Sequence, residues 1–226
     1  MCYKVATPEE KKLQEFMKKQ GMTVDNYRHY AEANGFENPL LPVTTSEDPK
    51  KVQTAMWKLI PHWVKSAADA KKYANTLNAR CEEVFEKASY RSYIGTYRCL
   101  LWVDGFYEPH HPAPKVTVPY YISAADDSLL TLGGVYHNWL NHDTGEVIPT
   151  FSIITTPPNE LLRHIHNEGQ RMPLVLNDTD RWRWLQPLNR EEITELMKPL
   201  PDGLLTGTPT VKYTPEPQQP KPGLLF

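Results

Sequence analysis

Between Tyr97 and Thr156 the chain reads "YRCLLWVDGFYE", "TVPYYIS", "LLTLGGVYHNW" and "VIPTFSIITT", four apolar and aromatic runs separated by turn-like segments. β-Branched and aromatic residues in short bounded runs favour extended backbone. No helix-length segments alternate with them as a βαβ pattern would require. These runs predict meandering antiparallel strands.

The flanking segments carry a helical signature. "PEEKKLQEFMKKQ" has acids in its first turn, lysines in its last and Gly21 just beyond, which predicts a helix. "TVDNYRHYAEANG" predicts a second helix closed by Gly35. "FENPLLPVTTSEDPKKVQTAMWKLIPHW" predicts a loop, a short strand, a turn and a strand ending at "WKLIP". A helix near Ser66–Ala74 leads into "NTLNARCEEVFEKASYRSY", read as a loop and a helix. Past the strands come a helix in "PPNELLRHIHNEG", a short strand "RMPLVL", and helices in "DTDRWRWLQ" and "NREEITELMK". Asn189 and Glu192 are spaced as a capping box. The expected class is α+β: a single domain, residues 2–211, with a curled, barrel-like antiparallel β-core flanked by helices. Residues 212–226 are expected to form a proline-rich C-terminal tail, since five of the 21 prolines follow Thr208.

Composition narrows the setting. No apolar run approaches the ~20 residues that a bilayer crossing needs, and the N-terminus lacks a basic-then-apolar signal segment. Three cysteines at scattered spacings suit a reducing cytoplasm rather than a disulfide framework. The net charge of −2 is unevenly spread: residues 1–100 hold 16 Lys+Arg against 12 Asp+Glu, and residues 101–226 hold 9 against 15. A polyanion would therefore meet a local groove built mainly from the first half. No heptad pattern offers a dimer seam, so a monomer is expected.

Cys2 directly follows the initiator methionine. Once Met1 is removed, an α-amine titrating near pH ~8 lies beside a thiol titrating near ~8.5. Such a 1,2-aminothiol condenses with an aldehyde to a Schiff base and then closes to a thiazolidine. Glu108 ends the run "VDGFYE", where burial of a carboxyl would raise its pKa toward neutrality and suit it to acid–base work. Asn78 and Arg80 in "LNAR" share a face if extended, the first a donor and acceptor, the second a fork suited to phosphate. His166 could serve Cys2 as a base in a thiol peptidase. His164 and His166, with Cys81, Cys99, His110 or His111, lack metal-site spacing, so neither a metal nor another cofactor is expected. Trp57 is expected in the core and Trp63 near the surface, where an indole stacks on unpaired bases. In "RWRW", Arg181–Trp184, ordinary packing with exposed arginines is expected.

Taken together, Cys2, "WKLIPHW", "LNARCEEVF", "RCLLWVDGFYE", "PYYI", "LGGVYHNW" and "FSIITTPPNELLRHIHNEGQRMPLVL" resemble, in order and spacing, the SRAP (SOS response-associated peptidase) family. The resemblance runs from Cys2 to about Val211. It implies a DNA-damage response protein that crosslinks covalently to abasic sites in single-stranded DNA. In that scheme Cys2 is the nucleophile, Asn78 holds its terminus and the sugar, Glu108 is the general acid/base, and His166 shuttles a proton. Contacts to DNA would come from Lys4, Trp63, Arg80 and Arg171. A thiol peptidase acting on proteins and a non-covalent single-strand binding module remain alternatives. The chain departs from the family pattern at Tyr3 and Lys4, where many relatives have Gly-Arg, at Lys58 for a glycine, and at Pro109 for a tryptophan beside Glu108.

Overall fold

A computed structural model of the chain describes residues 2–73 and 75–212. The first half holds β1 (Lys4–Ala6), α1 (Glu10–Lys19), β2 (Thr23–Val24), β3 (Ala33–Asn34), β4 (Leu40–Thr45) and β5 (Lys51–Trp57). There follow α2 (Ala67–Ala70), β6 (Asn78–Arg80) and α3 (Ala88–Arg91). The meander is β7 (Arg98–Val103), β8 (Gly105–Ala113), β9 (Val116–Ala124), β10 (Leu130–Leu140) and β11 (Val147–Thr156). The chain continues through α4 (Glu160–Ile165), β12 (Met172–Pro173), β13 (Val175–Leu176), α5 (Asp178–Trp184), α6 (Arg190–Leu196) and β14 (Leu205–Pro209).

Five strands close on themselves in the order β11-β10-β7-β4-β5, with β5 returning to β11 through the parallel pairs Thr150↔Met56 and Phe151↔Trp57. The other four pairings in the ring are antiparallel. A second sheet, β14-β9-β8-β1-β3, lies beside it. The result is the α+β class with a curled, barrel-like β-core.

Alternation along β7 shows how the two cores form. Cys99, Leu101 and Val103 enter a cluster fed by all five ring strands, whereas Leu100 and Trp102 face a cluster containing Leu13 and Met17 of α1, Tyr90 of α3, Trp184 of α5 and Ile193 of α6. Two of the buried indoles show how their N–H groups are satisfied: Trp102 donates to Thr44 Oγ1 at 2.9 Å and Trp184 to the Cys99 carbonyl at 3.1 Å. Asn189 and Glu192 form the expected capping box at α6.

Three expectations are corrected. Residues 23–35 are not a helix. Val5 pairs with Ala33 and Lys4 with Asn34, while Tyr30 and Thr7 exchange hydrogen bonds, so pairing along β1 outweighs helical propensity. "RCLLWVDGFYE" is two strands turning at Asp104, which puts Glu108 within β8 rather than after a strand. A side chain at Gly105 would meet the Ile122 carbonyl oxygen, so glycine lets β8 lie this close to β9. Arg181 is buried rather than exposed, with its guanidinium 5.5–5.9 Å above the rings of Phe16, Trp102 and Trp182. Met1 and the tail from residue 213 onward lie outside the described residues.

Candidate active site

Pairing of β1 with β8, Lys4 opposite Tyr107, carries the residues preceding Lys4 alongside Glu108. β6 pairs parallel to β11 with Asn78 opposite Ile153. From that strand Asn78 donates through Nδ2 to the Cys2 carbonyl at 2.8 Å. Its own carbonyl accepts from Tyr90 Oη at 3.0 Å, which holds the strand in place. Asn78 Oδ1 is buried and has no hydrogen-bond partner among the described residues. α4 ends at His166, whose Nδ1 lies 2.8 Å from the Arg171 carbonyl and 3.4 Å from Glu108 Oε2. The structure thus links Cys2 to Asn78 and Glu108 to His166.

Burial sets the protonation states. Glu108 is 1% exposed, and desolvation raises its carboxyl from 4.5 to about 7. The Cys2 thiol, wholly buried, is pushed well above its ordinary value by desolvation and then by the Glu108 charge. Burial also lowers the His166 imidazole. Because a carbonyl only accepts, His166 carries its proton on Nδ1. Near neutrality the site holds a protonated thiol, a neutral imidazole and a carboxyl close to half-titrated. That is the reverse of the thiolate–imidazolium pair of a thiol peptidase, and it suits a carboxyl-assisted condensation.

The expected DNA contacts are placed differently from one another. Lys4 is half-exposed and paired with Glu32; Trp63 is 38% exposed and donates to Tyr73 Oη at 3.0 Å. Arg80 is exposed, with looser contacts of 3.9 Å to Glu82 and 3.5 Å to Glu83. Arg171 is not open to a strand. It is 9% exposed and its fork is spent on both oxygens of Glu82, at 2.5 and 2.9 Å, and on the Thr155 carbonyl at 2.6 Å. Among the described residues no three or more His, Cys, Asp or Glu side chains are grouped to hold a metal. Pro109 pairs with Pro119 in the strand ladder and leaves Glu108 buried. Tyr3 packs on the exposed Phe36 with ring centres 4.8 Å apart.

Sequence reasoning overlooked Glu82 and Gly169. Glu82 lies two residues after Arg80, as Arg80 lies two after Asn78, so period-two spacing along "NARCE" was the available signal. A Cβ at Gly169 would fall 1.9 Å from His166 Nε2, so only glycine leaves the ring its place. No local pattern announces that contact.

Fold and site together define a single-domain α+β protein with a buried cysteine at position 2, a strand-borne asparagine, and a buried carboxyl beside a neutral imidazole. The chain belongs to the SOS response associated peptidase (SRAP) family, whose pattern it matches over residues 1–213. It is 38% identical over 135 residues to the abasic site processing protein YoqW of Bacillus subtilis, covering 60% of this chain and 57% of that one. It is 28% identical over 172 residues to the abasic site processing protein HMCES of Pongo abelii, covering 63% and 48% respectively. The chain thus spans roughly half the length of these curated relatives. A crystal structure of a Bacteroides thetaiotaomicron protein superposes with a TM-score of 0.85 at 34% identity, over 92% of this chain and 91% of that one. A Bordetella bronchiseptica protein at 22% identity shares the fold, with a TM-score of 0.80 over 94% of this chain and all of that one. Among the described residues no helix is long and apolar enough to cross a membrane.

Proposed function

We propose that the chain captures abasic sites in single-stranded DNA by a covalent bond to Cys2. Removal of Met1, by the protein itself or by an aminopeptidase, frees the α-amine. The amine adds to C1 of the ring-opened sugar aldehyde, and water leaves as the Schiff base forms. The thiol then adds to the C=N carbon and the nitrogen takes up a proton, closing the thiazolidine. Glu108 donates the proton that departs with water, and His166 exchanges protons with Glu108. Asn78 holds the Cys2 carbonyl so that amine and thiol stay together. Lys4, Trp63 and Arg80 supply charge and a stacking surface for the strand. The unit acting is the domain of residues 2–211 as a monomer, in the cytoplasm where DNA is met.

The observation that carries this reading is the hydrogen bond from Asn78 to the Cys2 carbonyl, joined to a carboxyl held near 7 on the neighbouring strand. Intact mass after incubation with a uracil-containing single strand treated with uracil glycosylase tests it. One oligonucleotide should add to a chain lacking Met1, and Cys2→Ala should give no adduct. An adduct that survives in Cys2→Ala would sink the aminothiol route.

Gly169→Ala offers a second check. Its methyl must displace the His166 ring, so capture should slow about 10²-fold, as small misplacements of a reacting group do. A time course of adduct formation measures this. An unchanged rate would remove His166 from the proton path.

A further inference from the structure

Arg171 belongs to a short loop, residues 166–171, that returns the chain from α4 to β12. Within it the Gln170 amide donates to the His166 carbonyl at 2.9 Å, and Gln170 has a φ of +49°. The loop meets the barrel through the Arg171 side chain. Arg171 Nη2 reaches the Thr155 carbonyl, the same oxygen that accepts from the Cys81 amide at 2.9 Å, and Thr155 lies opposite Arg80 in the β6–β11 pairing. Glu82, one residue past Cys81, takes the other side of the fork with both oxygens. One buried guanidinium therefore ties the strand bearing Asn78 to the loop bearing His166.

We propose that Glu82 and Arg171 act as a positioning pair that fixes the orientation and tautomer of His166 for the reaction described above. The Arg171 carbonyl is the acceptor that holds the proton on His166 Nδ1, and it is set by where the Arg171 side chain is anchored. A planar fork gripping a carboxylate at two points restrains rotation as well as distance, which a lysine ammonium does not. Arg171 keeps Glu82 far down, at about 2, so the brace stays ionised throughout the range in which Glu108 and His166 exchange protons.

This proposal rests on the capture reaction, and it competes with a phosphate-gripping role for Arg171. The two predict opposite signs for Glu82→Gln. If Arg171 waits for phosphate, removing its carboxylate competitor tightens binding to an intact single strand and speeds capture. If the pair positions His166, capture slows about ten- to a hundredfold while affinity for an intact oligonucleotide is unchanged. Arg171→Lys should behave like Glu82→Gln, and Glu82→Asp, which keeps the charge, should recover part of the rate. A readout independent of DNA is the ¹⁵N spectrum of the histidine ring. Wild type should show His166 as a single Nδ1–H tautomer, and Glu82→Gln and Arg171→Lys a mixture. Unaltered His166 nitrogen shifts in both variants, or tighter strand binding in Glu82→Gln, would overturn the proposal. If the wild-type chain forms no adduct at all, the capture reaction fails and the nitrogen shifts alone decide the positioning.

Discussion

Glu108→Gln is expected to lose capture and gain stability at once. Glutamine keeps the shape of the side chain in β8 but neither donates a carboxylic proton nor accepts one back. Loss of a general acid/base costs about 10²–10⁴-fold in rate, so adduct formation should nearly cease. The stability effect follows from burial. The folded-state carboxyl titrates at about 7 and an unperturbed one at 4.5. Below pH 4.5 both states are protonated and Glu108 has no effect on folding. Between 4.5 and about 7 the unfolded chain ionises first, so the carboxyl increasingly favours unfolding; above 7 the penalty levels off at about 3 kcal/mol. Urea unfolding of wild type and variant from pH 4 to pH 8 measures it. The variant's advantage should be absent at pH 4 and grow through pH 7. A stability difference independent of pH would mean that Glu108 is not desolvated in the folded chain.

Arg98→Met should be the most destabilising of the substitutions considered, costing about 3–5 kcal/mol. Arg98 opens β7 and is 1% exposed. Its guanidinium donates to the carbonyls of Ile94, Gly95, Trp184 and Gln186, and its carbon lies 5.7 Å from the centre of the Trp184 ring. Burial lowers its pKa, and no ion pair with a carboxylate is recorded for it among the described residues. The cation is therefore held by carbonyl dipoles and the face of the Trp184 ring. Methionine fills the stem's volume and leaves four carbonyls without that donor. Lysine keeps the charge but cannot fork toward two segments at once, so Arg98→Lys should fall between. Denaturant midpoints by circular dichroism measure the effect. If lysine restores wild-type stability, charge rather than fork geometry holds α5 to the barrel.

Much of the architecture was readable along the chain. The acid-to-lysine gradient of α1, the Asn189–Glu192 box of α6 and the alternation of the meander are each written within one element, so a local reading recovers them. Residues 23–35 defeated the same reading because Tyr27, His29 and Tyr30 are held by Thr7 and Pro8, partners about twenty positions away. Arg181 did so because Phe16 and Trp102 reach it from other elements. Of the candidate site, Cys2, Asn78, Glu108 and His166 are singled out in the sequence by their chemistry and by family resemblance. Glu82 and Gly169 were not, because their contacts exist only after the chain folds.

By itself the sequence determined the helices α1, α4, α5 and α6, the extended character of the meander and which side chains own the necessary chemistry, since propensity, caps and side-chain pKa classes are properties of a few neighbouring residues. The tertiary structure decided what those side chains become. Pairing of β6 with β11 and of β1 with β8 brings positions 2, 78, 108 and 166 into one region. Only there does the removal of water lift one carboxyl to about 7 while a guanidinium holds another near 2. Desolvation depends on every neighbour a group acquires, and those neighbours come from all along the chain.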